Sequence, residues 1–260
     1  MKNAFLISIN TLRETLRQKL ILIVAIIALA LVLSSKYLLS LDLGHEQLRF
    51  VFDFGSGALG FFGSIIAVVA TAQIFHNEIE NKTIITLFSK PVGSSQFVFG
   101  KFGGAVFALA IFAFVVALAT SLMLAITSLG IRNAEDVASV NYVGVFAFAF
   151  IQWIKLCAIC AISAFICSAS TSLLFSVIVS FMVLAVSMAG DITLRLGGKQ
   201  EGFTELVSWI FPDFHVFNVA ENFAFSPINL IDFFASGGYG IIYCVCALIA
   251  SAIMFSKREF

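Results

Sequence analysis

Charge is scarce in this chain. Only 12% of its 260 residues are Asp, Glu, Lys or Arg, against about 25% in ordinary soluble domains, and no polar stretch is long enough to form a soluble domain of its own. Three prolines are too few for a disordered tail, and five cysteines inside apolar runs are not a disulfide scaffold. The histidines His45, His76 and His215 are dispersed over different segments, which argues against a metal centre or an imidazole-based catalyst. Cys157 and Cys160 match C-x-x-C in spacing, but without a second Cys or His cluster they read as small buried residues, as do Cys167, Cys244 and Cys246. No G-x-x-x-x-G-K-[ST] occurs: Gly93 to Lys101 has the wrong spacing and runs on into Phe102, so nothing here cradles a nucleotide.

What fills the chain instead is apolar. Hydrophobic residues make up 60% and the mean hydropathy is +1.05, with 30 phenylalanines. Apolar runs of about 20 residues suffice to cross the hydrocarbon core as helices. Such runs lie at about 20–41, 54–75, 102–131, 143–167, 173–189 and 238–255. The fourth and fifth are separated by the polar cluster Ser168 to Ser172, which predicts a tight hairpin. The sequence therefore predicts an all-α integral membrane protein with six transmembrane helices in a domain covering 20–260. The first run ends in Ser34, Ser35 and Lys36 without a small-residue cleavage site, so it is expected to be a retained span rather than a signal peptide.

The distribution of Lys and Arg orients these spans. Lys2, Arg13, Arg17, Lys19, Lys82, Lys90, Lys101, Lys257 and Arg258 fall on one side, and Arg49, Arg132, Arg195 and Lys199 on the other. The positive-inside rule then puts both termini and the segment 76–101 in the cytoplasm. Acidic residues gather on the opposite side, where Tyr37, Tyr142, Trp209, Tyr239 and Tyr243 would form an interfacial belt.

Three segments outside the spans carry further information. In residues 1–19 and running into the first span, Phe5, Ile9, Leu12, Leu16 and Leu20 recur at helical spacing opposite Asn10, Arg13, Glu14, Arg17 and Gln18, which fits an amphipathic helix over 1–19 on the cytoplasmic surface with its bases near anionic lipid. An ordinary extension of the first span is the alternative. Residues 191–236, rich in aromatics and containing Pro212 and Pro227, fit either re-entrant short helices or a surface loop. Segment 76–101 reads as two short amphipathic pieces broken by Pro91-Val92-Gly93-Ser94, and its Ile84, Leu87 and Phe88 need a partner protein or a membrane to cover them.

This segment resembles the cytoplasmic loop of type-2 ATP-binding-cassette (ABC) export permeases. The residues that carry the likeness are Glu78, Glu80, Lys82-Thr83, Leu87, Lys90-Pro91-Val92, Phe97 and Gly100-Lys101, supported by the six-span layout, Phe211-Pro212-Asp213-Phe214 and the terminal Phe255 to Phe260. The resemblance implies a permease subunit that pairs with a second copy or a paralogue and docks separate cytoplasmic ATPase subunits. Glu78, Glu80, Lys82, Thr83, Leu87, Lys90 and Pro91 would form the coupling loop, with residues 1–19 beside it. ATP would be bound by the partner, so the chain itself is expected to be no enzyme and to need no cofactor. A bacterial inner membrane location and contact with membrane lipids follow, and a nucleic-acid partner is not expected. The competing reading is a non-transporting scaffold or assembly factor that recruits a cytoplasmic partner through the same loop.

Lys155 is the anomaly among the spans, since a central lysine costs about 2.5–3.5 kcal/mol on insertion scales. It would be a translocation-path residue or the partner of an unidentified acid. The favoured account starts the fourth span near Phe150, so that Lys155 snorkels past Trp153 to the outer headgroups, because no Asp or Glu lies within any of the six runs. That lack also disfavours ion-coupled secondary transport. Gly55, Gly57, Gly60 and Gly63, with Gly100, Gly103 and Gly104, are expected to allow close helix packing.

Overall fold

The structure, a computed structural model, describes residues 2–39, 47–80, 94–130, 140–195 and 212–256. Among them every regular element is helical: α1 (Lys2–Arg17), α2 (Lys19–Leu39), α3 (Gln47–Glu80), α4 (Ser94–Gly130), α5 (Tyr142–Ala169), α6 (Leu173–Arg195), a 3₁₀ helix η1 (Phe214–Ala224) and α7 (Leu230–Ser256). Helices satisfy their own backbone groups and so suit a solvent that cannot. Lys19–Tyr37, Gln47–Asn77, Gln96–Leu129, Tyr142–Ala169 and Leu230–Ser256 are each long and apolar enough to cross a membrane, and α6 contributes a shorter apolar stretch, Leu173–Met188. The chain is an all-α, multi-pass membrane protein.

The bundle is built around α5. Its buried face includes Phe148, Ile151, Leu156, Cys160, Ala164 and Cys167, and it packs on α3, α4 and, most extensively, α7. Small residues set the spacing. A Cβ on Gly63 would stand 2.7 Å from Leu156 Cδ1, and one on Gly55 would overlap Thr120. Gly57 and Gly60 differ from that expectation, because nothing lies within 4 Å of the position of their missing Cβ atoms. Hydroxyls in the spans mostly return to the carbonyl three or four residues back, as with Thr71 to Ala67 O at 2.7 Å and Thr120 to Val116 O at 2.9 Å, which hides them from lipid. Between helices, Trp153 Nε1 donates to Val106 O at 3.1 Å and Ser251 Oγ to Ala164 O at 3.2 Å. The polar cluster Ser168 to Ser172 coincides with the break between α5 and α6, where Ser170 Oγ accepts from Ser172 N at 3.2 Å.

Two boundaries depart from the sequence reading. Residues 76–80 continue α3 and residues 94–101 open α4, so the ends of segment 76–101 are extensions of long helices rather than separate amphipathic pieces. No Gly or Pro interrupts Phe75 to Glu80, and Gly100 sits where α4 is already flanked by packed turns. The fourth apolar run, 143–167, corresponds to α5, which opens at Tyr142 with Asn141 Oδ1 accepting from Gly144 N at 3.1 Å.

Candidate functional site

The two ends of the bundle carry different chemistry. At the end where α3 stops and α4 begins, α1 lies against α4 through Ser8, Thr11 and Thr15, all buried, and not through its apolar stripe. Phe5 and Leu16 remain exposed. The reason is on α4: Gly103 and Gly104 let the α1 backbone approach so closely that a Cβ on Gly104 would stand 2.8 Å from the Ser8 carbonyl oxygen. Lys101, buried beside this seam, meets Glu14 Oε2 at 3.6 Å and lies 5.9 Å from the centre of the Phe97 ring. Phe97 in turn stacks on Phe255 of α7 at 5.3 Å and 20°, and meets Phe75 of α3 edge-on at 6.2 Å. One ring thus joins the start of α4 to the ends of α3 and α7, and through Lys101 to α1.

The expected coupling residues flank this cluster. Glu78 and Glu80 belong to the last turn of α3, while Lys82, Thr83, Leu87, Lys90 and Pro91 lie outside the described residues.

At the opposite end, η1 seats Phe214, Phe217 and Phe223 into the bundle. Asp213 caps it, accepting from His215 N at 2.9 Å, and Asp213 N donates to Tyr239 Oη of α7 at 2.8 Å. Asn141 N donates to Ala224 O at 2.9 Å, and Gly144 leaves room for the Phe223 carbonyl, which a Cβ there would overlap. Gly240 admits Phe217, whose ring would be 3.0 Å from an added Cβ.

Lys155 is found beneath this wedge. It is 5% exposed, with Nζ 5.9 Å from the centre of the Phe214 ring, and about 20 Å along α5 from Tyr142 at 1.5 Å per residue. The snorkelling account is therefore corrected: the amine is enclosed by protein rather than extended along a lipid-facing surface. The acid that acts on it electrostatically is Glu221 of η1, which belongs to the segment between the spans and not to any span. Glu221, Arg49, Asp53, Asn222 and Ser226, with Phe52 and Phe225, line a cleft of about 340 Å³. Burial, and next the neighbouring Asp53, push the Glu221 carboxyl above its ordinary value, while Lys155, Arg49 and His215 oppose the shift.

The cysteines are free thiols, with Cys157, Cys160 and Cys167 buried, and Thr71 Oγ1 meets Cys160 Sγ at 2.8 Å.

Residues 15–188 match a family model described as ABC-2 family transporter protein. The chain belongs to this family. The matched stretch runs from the last turns of α1 into α6 and takes in segment 76–101 and Lys155, whereas η1 and α7 lie beyond it. Membership makes the protein a permease subunit of an ABC transporter, a membrane component associated with an ABC ATPase subunit. No curated protein matches the chain significantly.

Proposed function

We propose that this subunit forms, as a dimer with a second copy or a paralogue, the pathway of a bacterial inner-membrane exporter whose ATP is bound and hydrolysed by its partners. The chain itself is no enzyme and needs no cofactor. Both termini and segment 76–101 face the cytoplasm, and the ATPase docks on that segment, through Glu78, Glu80, Lys82, Thr83, Leu87, Lys90 and Pro91, with α1 beside it. Lys155 stands on the route about midway along α5, beneath η1 and its Glu221. The observation that carries this reading is the ABC-2 match over residues 15–188, and the excess of Lys and Arg at the loop end supports its orientation.

Co-purification with the ATPase encoded beside it, followed by ATP-dependent flux in sealed vesicles, tests the proposal. Capture together with flux supports it. A subunit that captures no ATPase refutes it, and capture without ATP-driven flux of any candidate cargo favours the scaffold.

A further inference from the structure

Helix α7 is held by specific contacts at both ends. Near its last turn Phe255, 1% exposed, stacks on Phe97 at 5.3 Å and meets Phe75 edge-on at 6.5 Å, so it touches both helices that lead into the coupling segment. Sixteen residues earlier, Tyr239 Oη accepts from Asp213 N at 2.8 Å and its ring lies 6.1 Å from that of Phe217, so the same helix grips η1. The two grips are about 24 Å apart along the helix at 1.5 Å per residue.

Between them α7 is tied to α5. Ser251 Oγ donates to Ala164 O at 3.2 Å, and Gly240 lets Ile154 close on its backbone, where an added Cβ would stand 2.5 Å from Ile154 Cγ2. No proline interrupts α7. A helix pair tied together in this way, with one end in the coupling cluster and the other in the outer wedge, has the form of a push-rod.

We infer that Phe255 is a coupling residue: through its stack on Phe97, closure of the ATPases displaces the α5–α7 pair and shifts η1 over the cleft lined by Arg49, Asp53 and Glu221. The inference rests on the ATPase-driven reading above and adds the route by which the drive reaches the far side. Phe255 is enclosed by Phe75 and Phe97 and acts through them, so its role is positional.

The test uses the whole complex in nanodiscs. Val219→Cys places a thiol on the exposed face of η1 (41% exposed in the parent), and a membrane-impermeant maleimide reads its accessibility without nucleotide and after trapping with ATP and vanadate. Without Val219→Cys, the parent gives the background from natural thiols. The labelling rate is expected to differ between the two states by about fivefold or more, the lower range of allosteric couplings. Phe255→Leu and Phe255→Ala lose the difference while still capturing the ATPase, and Phe255→Tyr keeps it. Tyr239→Phe, altered at the other grip, retains ATPase stimulation but narrows the difference. A difference that survives Phe255→Leu, or that is absent with Phe255 in place, overturns the relay while leaving the permease assignment standing. A parent that captures no ATPase overturns that assignment and the relay with it.

Discussion

Adding one methyl at Gly104 should unseat α1. In Gly104→Ala the new Cβ falls 2.5 Å from Thr11 Cβ, 2.7 Å from Thr11 Cγ2 and 2.8 Å from the Ser8 carbonyl oxygen. Carbon atoms rest at about 3.5–4.0 Å, so α1 must withdraw by roughly 1 Å. No side-chain rotation removes the clash, because a backbone oxygen and a Cβ are both involved. The ion pair between Glu14 and Lys101, now 3.6 Å, is then carried past the ~4 Å reach of such pairs. Overpacking of this kind costs about 1–3 kcal/mol, and in a chain of this size each kcal/mol lowers the melting temperature by about 2–4 °C.

Neighbouring glycines supply the controls. In Gly103→Ala the methyl meets Ser8 Oγ at 2.9 Å, a hydroxyl that can turn away, so the loss is smaller. Gly57→Ala meets nothing within 4 Å and should be neutral, or gain up to about 1 kcal/mol from helix propensity. Thr11→Ala combined with Gly104→Ala removes the methyl at 2.7 Å but keeps the Cβ at 2.5 Å, and recovers only part of the loss. Melting of the detergent-purified proteins, followed by tryptophan emission, should rank Gly104→Ala below Gly103→Ala and that below Gly57→Ala. Equal melting of the first and last would refute the glycine seam.

Three further outcomes follow from the same contacts. Lys155→Met keeps most of the stem volume and deletes an enclosed cation, so it should melt no lower than the parent, whereas Lys155→Glu should lose about 3–5 kcal/mol as an uncompensated buried charge; a large loss in Lys155→Met would show that the amine itself holds η1. Because the Glu221 carboxyl holds its proton more tightly in the native protein than in the unfolded chain, stability should fall as pH rises from the ordinary glutamate range, about 4.3, through the higher native value, and level off beyond it. Glu221→Gln removes that slope, and an identical pH profile in the variant would contradict the assignment. Charge reversal at Glu78 or Glu80, or Leu87→Asp, should weaken ATPase capture about tenfold, equivalent to one contact of ~1.4 kcal/mol, with membrane insertion intact; undiminished titration and undiminished ATPase stimulation would remove these residues from the interface.

The membrane class was legible because hydrophobic run length is a one-dimensional property, and the break at Ser168 to Ser172 was legible for the same reason. The docking face of α1 was not. Periodicity identifies the stripe of Phe5, Ile9, Leu12 and Leu16, yet burial went to Ser8, Thr11 and Thr15, because glycines some ninety positions away on α4 reward a small-residue face. Lys155 failed in a related way. Its burial depends on η1, a short 3₁₀ element in an aromatic-rich segment whose fit beneath Tyr239 and over Gly144 is entirely tertiary. Phe97, noted in the sequence only as part of the family likeness, carries the stack on Phe255, and nothing in the pattern of either segment signals that pairing.

Gln18 is the single residue separating α1 from α2, and Leu22 N already donates to its carbonyl at 3.1 Å. The surface helix consequently has no slack. Any tug on it is passed to the first apolar helix, whose buried Ala28, Val32 and Ser35 carry it on into the bundle. A few glycines and serines inserted after Gln18 would sever that tether and leave the two helices free to move apart.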